Sequence, residues 1–193
     1  KDDVEMKYPP KYELPDLPVV EGIHENVKAP LYWSVYEYCY EKERQGETTI
    51  DISPDEWDKI IDFVATELKP HGYDMICTDG FIAMLSTDAS GYMTQYGSIS
   101  LKDLVAKCKA KGLKLGVYDN PLWVHCDWNQ IIPGTRNTVG SLLYQEGVDN
   151  VMRPNADPAN EIFQWAIPSH PGCKEFIDGF FKYYSELGVT YIR

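Results

Sequence analysis

The stretch KAKGLKLGV, residues 109–117, contains the transition that decides the fold. Its basic start ends a helical pattern, Gly112 stands where helices take a left-handed residue, and a short apolar run follows. The same arrangement occurs at KPHGYDMIC (69–77) and at SELGVTYI (185–192). Three joints of helix, glycine and short hydrophobic strand predict repeated β/α units with parallel strands.

The helices before these joints carry recognisable start signals. Residues 53–56, SPDE, offer a capping serine, a proline at the first helical position and a glutamate that completes a capping box. A second helix is predicted to begin at Ser100 and a third at His170-Pro171. Ahead of them, the apolar run Leu31–Tyr36 predicts the first strand, which a polar loop separates from the first helix.

Two architectures fit this order of elements: an open doubly wound sheet and a (β/α)8 TIM barrel. No GxGxxG or GxxxxGK[ST] motif follows any predicted strand, which removes the main sign of a nucleotide-binding open sheet. We therefore predict α/β structure in which residues 30–193 form about half of a TIM barrel, β1-α1-β2-α2-β3-α3-β4. Residues 1–29 are predicted as an extended, proline-rich lead-in, and residues 120–169 as a long loop insertion.

The amino-acid composition limits the kinds of molecule that the protein is expected to bind. The net charge of −12, from 30 acidic and 18 basic residues, opposes binding to nucleic acid or to anionic membranes. The 5 cysteines show no CxxC or Cys/His ligand spacing, so we expect no structural zinc site. The aromatic content of 13% suits either stacking on sugars or ordinary packing.

In parallel architectures the ligand lies at the carboxyl ends of the strands. Aromatic rings, carboxylates and one cation are predicted to converge there, a set that suits a neutral polyhydroxylated ring. Each residue alone has a second interpretation, as turn residue, core packing or ion pair. The candidate residues are Trp33, Tyr36, Glu37, Asp79, Tyr118, Asp119 and Arg193.

Four segments carry a family resemblance: PLYWSVYEY (30–38), ELKPHGYDMICTDGF (67–81), LVAKCKAKGLKLGVYDN (104–120) and SELGVTYIR (185–193). In order and spacing they resemble the first half of the catalytic barrel of α-galactosidase-like (melibiase) glycoside hydrolases, family 27 and its clan relatives. The resemblance implies a carbohydrate substrate, no metal or organic cofactor, and a secreted or periplasmic enzyme. The lead-in and the long loop are outside it.

Carried over by position, the resemblance implies that Trp33, Asp79 and Tyr118 line a sugar subsite. Arg193 stands where the family has a sugar-binding lysine, which keeps the charge but changes the geometry. Gly80 stands where the family has a second acid, a departure that removes acceptors for sugar hydroxyls. The expected substrate is therefore an α-galactoside or a related pyranoside such as an arabinopyranosyl unit.

The resemblance also implies where catalysis occurs. The family's nucleophile follows the strand-four cation by two residues, and its acid/base follows strand six, so we expect both beyond Arg193 and no catalytic residue within the chain. Retaining glycoside hydrolysis needs both carboxyl groups. The exposed edges of a half barrel would be covered by the remainder of the barrel or by a homo-oligomer partner.

Two alternatives remain open at this point. In the first, catalysis stays within the chain, with Asp79 paired with Asp119 or Glu37. In the second, the protein is a non-catalytic carbohydrate-binding or assembly protein on a glycosidase-like barrel. Under either, Trp123 in the long loop is a further candidate for the wall of the site.

Overall fold

The computed structural model describes residues 29–47, 51–78, 85–87, 92–124, 126–143 and 164–193. These residues form short strands and four α-helices: β1 Tyr32–Ser34, α1 Val35–Arg44, α2 Pro54–Phe63, β2 Met75–Cys77, β3 Leu85–Thr87, β4 Met93–Tyr96, β5 Ile99–Ser100, α3 Leu101–Ala110, β6 Lys114–Val117, β7 Trp123–Val124, β8 Gln164–Trp165, α4 Cys173–Leu187 and β9 Tyr191–Ile192. A π-helical turn, Val64–Leu68, and a 3₁₀ turn, Lys69–His71, extend α2. None of the described helices has the length and apolar character required to cross a bilayer.

The main sheet is four-stranded and parallel, with the strands side by side in chain order, β1-β2-β6-β9. Ile76 of β2 stands opposite Trp33 of β1 on one side and Leu115 of β6 on the other. Gly72, Gly112 and Gly188 all have positive φ at the ends of their helices. The prediction of β/α units with parallel strands, made from the three glycine joints, is confirmed for this sheet.

Two of the three predicted helix starts are confirmed. Ser53 and Glu56 form the reciprocal capping box, and Pro54 is the first residue of α2. The Ser100 hydroxyl accepts the backbone N–H of Asp103 at 3.0 Å and caps α3. The third helix begins later than predicted, at Cys173, because Gly172 has a φ of 91° and is not helical.

The first predicted strand was too long. β1 ends at Ser34, whose hydroxyl accepts the backbone N–H of Tyr36 at 3.2 Å and so caps α1. Val35 and Cys39 are buried four residues apart, which is helical spacing. The segment predicted as strand end and polar loop is therefore the helix α1, and Tyr36 and Glu37 lie on it.

The main core lies between the sheet and the helices that cover one of its faces. From the main sheet, Ile76, Leu115 and Val117 are fully or almost fully excluded from solvent there, and β4 and β5 add Met93, Tyr96 and Ile99. Trp57 and Leu104 bring α2 and α3 onto this layer, and both are completely buried. Burial of large apolar side chains at helical and strand spacing is what holds the sheet and the helices together.

The opposite face of the sheet is concave. The rings of Tyr32 on β1 and Tyr191 on β9 have centroids 5.8 Å apart, although two strands separate them. In a flat sheet their strands would be about 14 Å apart. Between them Gly116 leaves room, because a Cβ there would lie 3.1 Å from the Tyr191 ring and 3.2 Å from the Met75 sulfur. The outer strands therefore curve towards each other.

A second cluster of buried residues follows β6. We call it the lobe; it comprises residues 122–124, 126–143 and 164–177. β7 pairs with β8, and Val139–Leu143 forms a 3₁₀ turn beside them. The lobe has its own apolar core, formed by Val124, Ile132, Val139, Leu142, Leu143, Ala166, Cys173 and Phe176. The predicted insertion at 120–169 thus contains packed structure in its described part; residues 144–163 lie outside the described residues.

Candidate functional site

An open groove lies where the carboxyl ends of β6 and β9 meet the lobe. Four of the predicted site residues contribute to its lining: Tyr118, Asp119, Trp123 and Arg193. The other lining residues are Asn120, Pro121, Phe181 and Ile192. Aromatic surface, a carboxylate, an amide and a guanidinium are thus gathered at one rim of the sheet.

Backbone hydrogen bonds beyond the formal strand ends align two of these residues. The Arg193 N–H donates to the Val117 carbonyl at 2.9 Å, and the Asp119 N–H donates to the Arg193 carbonyl at 3.3 Å. This continues the β6–β9 ladder by one step on each strand. Tyr118 and Arg193 consequently lie next to each other at the ends of the neighbouring strands β6 and β9.

A tight turn brings Trp123 back towards the sheet. The Asn120 side-chain oxygen accepts the Leu122 N–H at 2.9 Å, and the Asn120 carbonyl accepts the Trp123 N–H, also at 2.9 Å. These are the bonds expected of an asparagine that organises a turn. They place the Trp123 ring 5.7 Å from the Tyr118 ring, at an interplanar angle of 56°. Residues 119–121 therefore both form a turn and line the groove.

Asp119 is the buried acid of the groove, with 6% of its surface exposed. Its Oδ2 accepts the Tyr184 hydroxyl at 2.6 Å, and its Oδ1 accepts the Asn120 N–H at 2.8 Å. Burial raises the pKa of Asp119 to about 6, and these two hydrogen bonds oppose that rise. Burial and the neighbouring carboxylate also raise the pKa of Tyr184, so this hydroxyl stays protonated and donates.

Three of the remaining candidates lie elsewhere. Trp33 is half-buried and packs against the main core, on the helix-covered face of the sheet. On α1, Tyr36 stacks on Tyr40 at a centroid distance of 5.5 Å, and Glu37 is exposed. None of these three is among the groove-lining residues. Asp79, like Gly80, lies outside the described residues, so its role stays a prediction.

Sequence reasoning missed two residues that support the groove. Thr78, completely buried, accepts the Tyr118 N–H at 3.3 Å through its hydroxyl, and its carbonyl accepts the hydroxyl of Tyr96. Tyr184 was not among the predicted site residues. The position of Thr78 at a strand end was a usable signal, whereas the contact of Tyr184 with an acid 65 positions away was not visible in the sequence.

The groove has the chemistry of a binding site for a neutral, hydroxyl-bearing ligand. Its rings offer apolar faces for C–H surfaces, and its guanidinium and amide groups offer hydrogen bonds to hydroxyl groups. Within the described ranges, no group of three or more His, Cys, Asp or Glu side chains is arranged to hold a metal ion.

Comparison with known proteins relates the chain to enzymes that act on glycosides. No protein-family model matches it. Isomalto-dextranase of Arthrobacter globiformis is 33% identical in an alignment of 172 residues that covers 85% of this chain and 25% of that enzyme. The solved structure of Arthrobacter globiformis T6 isomalto-dextranase complexed with panose superposes with a TM-score of 0.63 at 30% identity, over 86% of this chain and 27% of the enzyme.

A more distant solved structure shares the fold. The α-galactosidase of Thermus thermophilus in complex with p-nitrophenyl α-D-galactopyranoside has a TM-score of 0.54 at 16% identity, over 86% of this chain and 30% of that one. The chain thus spans about a quarter to a third of the length of the relatives it matches. The sequence similarity is to isomalto-dextranase, and the likeness to the α-galactosidase is one of fold; neither singles out family 27.

Proposed function

We propose that the chain forms the sugar-binding part of a glycoside hydrolase that acts on α-glycosides. The single observation that carries this proposal is the groove at the strand ends, where Tyr118, Trp123, Asp119 and Arg193 come together. The relatives supply the reaction class, because an isomalto-dextranase and an α-galactosidase both act on α-linked sugars. The proposal concerns the whole protein, of which this chain supplies part of one site.

We further propose that the four parallel strands are the first four of a (β/α)8 barrel. Three features support this architecture: the strands lie in chain order, the helices cover one face, and the other face is curved enough for Tyr32 to meet Tyr191. Barrels of this type carry their active sites at the carboxyl ends of the strands. The groove lies at that end, after Val117 and Ile192.

In the proposed site each groove residue has a distinct task. Trp123 and Tyr118 present ring surface to the C–H face of a pyranose, while the Arg193 guanidinium donates to its hydroxyl oxygens. The mechanism we propose is retaining, with a nucleophile and an acid/base, both carboxyl groups, supplied by the rest of the polypeptide. The groove then contributes by holding the sugar ring in register with those groups.

Two substrate classes are in competition. The family resemblance favours an α-galactoside or a related pyranoside. The 33% identity to isomalto-dextranase favours an α-linked glucan of the dextran type. The two differ in the orientation of one ring hydroxyl, so a pocket that hydrogen-bonds that hydroxyl discriminates strongly between them.

The test uses the full-length protein with p-nitrophenyl α-galactoside, p-nitrophenyl α-arabinopyranoside and dextran. We expect hydrolysis of at least one of them, and about tenfold weaker binding of its sugar product in Trp123→Ala, from the loss of ring contact. Trp128→Ala is the matched control, because Trp128 is a 41% exposed tryptophan of the lobe outside the groove lining. Equal effects of the two substitutions would remove the groove from the proposal.

The same experiment addresses the non-catalytic alternative. Calorimetric binding of a sugar without turnover of any α-glycoside would favour a carbohydrate-binding protein. Neither binding nor turnover would contradict both functions.

A further inference from the structure

A chain of buried hydrogen bonds runs from the groove into the fold. The Met93 N–H donates to the Tyr184 hydroxyl oxygen at 3.2 Å, and that hydroxyl donates to Asp119 Oδ2 at 2.6 Å. Tyr184 is 1% exposed and Asp119 6% exposed, so water does not substitute readily for either partner. The chain joins three elements: the β4 strand, the helix α4 and the end of β6.

Asp119 is also the fixed point of the turn that shapes the groove. Its Oδ1 accepts a hydrogen bond from the Asn120 N–H, and its backbone N–H donates to the Arg193 carbonyl. Asp119 is thus bonded to Asn120 through its side chain and to Arg193 through its backbone N–H, and both of these residues line the groove. Tyr118 and Trp123, which face each other across the turn, are positioned by the same short segment.

From this geometry we infer that Asp119, oriented by Tyr184, is a positioning residue: its carboxylate fixes the turn at Asn120 that sets Trp123 against Tyr118 in the arrangement that binds sugar, without itself needing to contact the sugar. The inference rests on the proposed function for its ligand. It differs from the sequence-based hypotheses, in which Asp119 either bound the sugar directly or took part in catalysis.

The ionised carboxylate is the form that does this work. Its two oxygens accept hydrogen bonds from Tyr184 and from Asn120 at the same time. A protonated carboxyl carries a hydrogen on one of these oxygens, and that hydrogen competes with the donor that faces it. The charged or titratable groups around it are Tyr118 and Arg193 along the groove, and Tyr184 with its neighbour Tyr183 on α4. Since burial raises the Asp119 pKa to about 6, sugar binding is expected to weaken as pH falls through that value.

The two adjacent tyrosines of α4 offer a matched pair of variants. Tyr183 donates its hydroxyl to the Met93 carbonyl at 2.8 Å, so Tyr183→Phe removes a hydroxyl of the same helix bonded to the same residue. Tyr184→Phe removes the hydroxyl that also reaches Asp119. A merely structural role predicts similar consequences for both substitutions, whereas a positioning role predicts consequences for Tyr184→Phe alone.

Two readouts in the full-length protein test the inference. The first is the affinity for the sugar product, measured from pH 4.5 to 8. The second is the fluorescence emission of Trp123 over the same pH range without sugar. The Trp123 contribution is obtained by subtracting the spectrum of Trp123→Phe. We expect Tyr184→Phe to bind about tenfold more weakly and Tyr183→Phe to stay within about twofold of the wild type. The pH midpoint of the change in Trp123 emission should rise in Tyr184→Phe, because that variant loses a hydrogen bond that lowers the Asp119 pKa. In Asp119→Asn the pH-dependent change in emission should be absent.

The outcomes separate this inference from the proposed function. If the wild type binds sugar and the two tyrosine variants behave alike, the positioning role is overturned and the function stands. If no sugar binds, the function fails, and Trp123 emission still decides the positioning role. An emission midpoint in Tyr184→Phe equal to that in Tyr183→Phe overturns it there as well.

Discussion

The main core buries side chains that recur at helical and strand spacing, whereas the lobe buries its side chains on segments with little regular structure. In the lobe, hydrogen bonds between loops replace the ladders: Gly140 donates to the Trp128 carbonyl at 2.9 Å, and Ile132 to the Asn137 carbonyl at 3.0 Å. The groove lies on the boundary, with Tyr118 and Arg193 from the sheet and Trp123 from the lobe. The sheet, packed on the main core, therefore provides one side of the groove, and the lobe, with an apolar core of its own, provides the other.

The largest loss of stability is expected from Trp57→Ala, which tests whether the main core, rather than the lobe, holds the fold together. Trp57 is completely buried, and its loss should lower the free energy of unfolding by about 4 kcal/mol, through lost burial and the remaining cavity. Urea unfolding measures this. Trp57→Phe should cost less, because the indole Nε1 makes no hydrogen bond within the described part of the chain. A free energy of unfolding close to that of the wild type would contradict this role of the main core.

A second, smaller effect is expected from Leu142→Ala in the lobe. Leu142 is also completely buried, and its truncation should cost about 3 kcal/mol, felt locally rather than globally. Hydrogen exchange should show lost protection in residues 126–143, with β2 and β6 still protected. Ile131→Ala, at a 51% exposed position of the same lobe, serves as the control and should change little. Simultaneous loss of protection in the sheet would mean that the two cores unfold as one.

The smallest effect, about 2 kcal/mol, is expected where the two regions meet, and it depends on pH. The pKa of Asp119 is about 6 in the folded chain against an ordinary value of 3.8, so the folded state binds this proton more tightly. Asp119 therefore lowers stability as pH rises from about 4 to about 6, by about 2 kcal/mol over that range. The difference in unfolding free energy between wild type and Asp119→Asn, measured from pH 4 to 7, should follow this trend. A difference independent of pH would place the carboxyl in water.

The sheet was predictable because its signals are local. Each helix cap and each glycine joint lies within a few residues of the element it terminates, as at Ser53 and Gly112. β1 was predicted too long for a local reason as well: an apolar run with tyrosines fits a strand, until Ser34 is seen to cap a helix. Such ambiguity is expected of short apolar runs.

The lobe and the supports of the groove were not predictable in the same way. The core of the lobe joins Val124 to Phe176 and has no periodic pattern between them. The convergence of Tyr118 with Arg193 followed from the rule for parallel strands, but the bond from Tyr184 to Asp119 depends on how α4 packs. Trp33 shows the limit of that rule, since adjacent strand residues point to opposite faces and Trp33 packs on the helix-covered one.

The clamp of α4 on Met93 has a consequence for the order of folding. Both backbone polar groups of Met93 are bonded to tyrosines that follow it by 90 and 91 residues. On the ribosome, the hairpin of β3, β4 and β5 therefore emerges long before the helix that fixes it in place. Closing so long a loop is slow compared with forming the hairpin itself. The hairpin has contacts with elements that precede α4, such as the bond from the Tyr96 hydroxyl to the Thr78 carbonyl, but the rim of the sheet reaches its final shape only once α4 has left the exit tunnel.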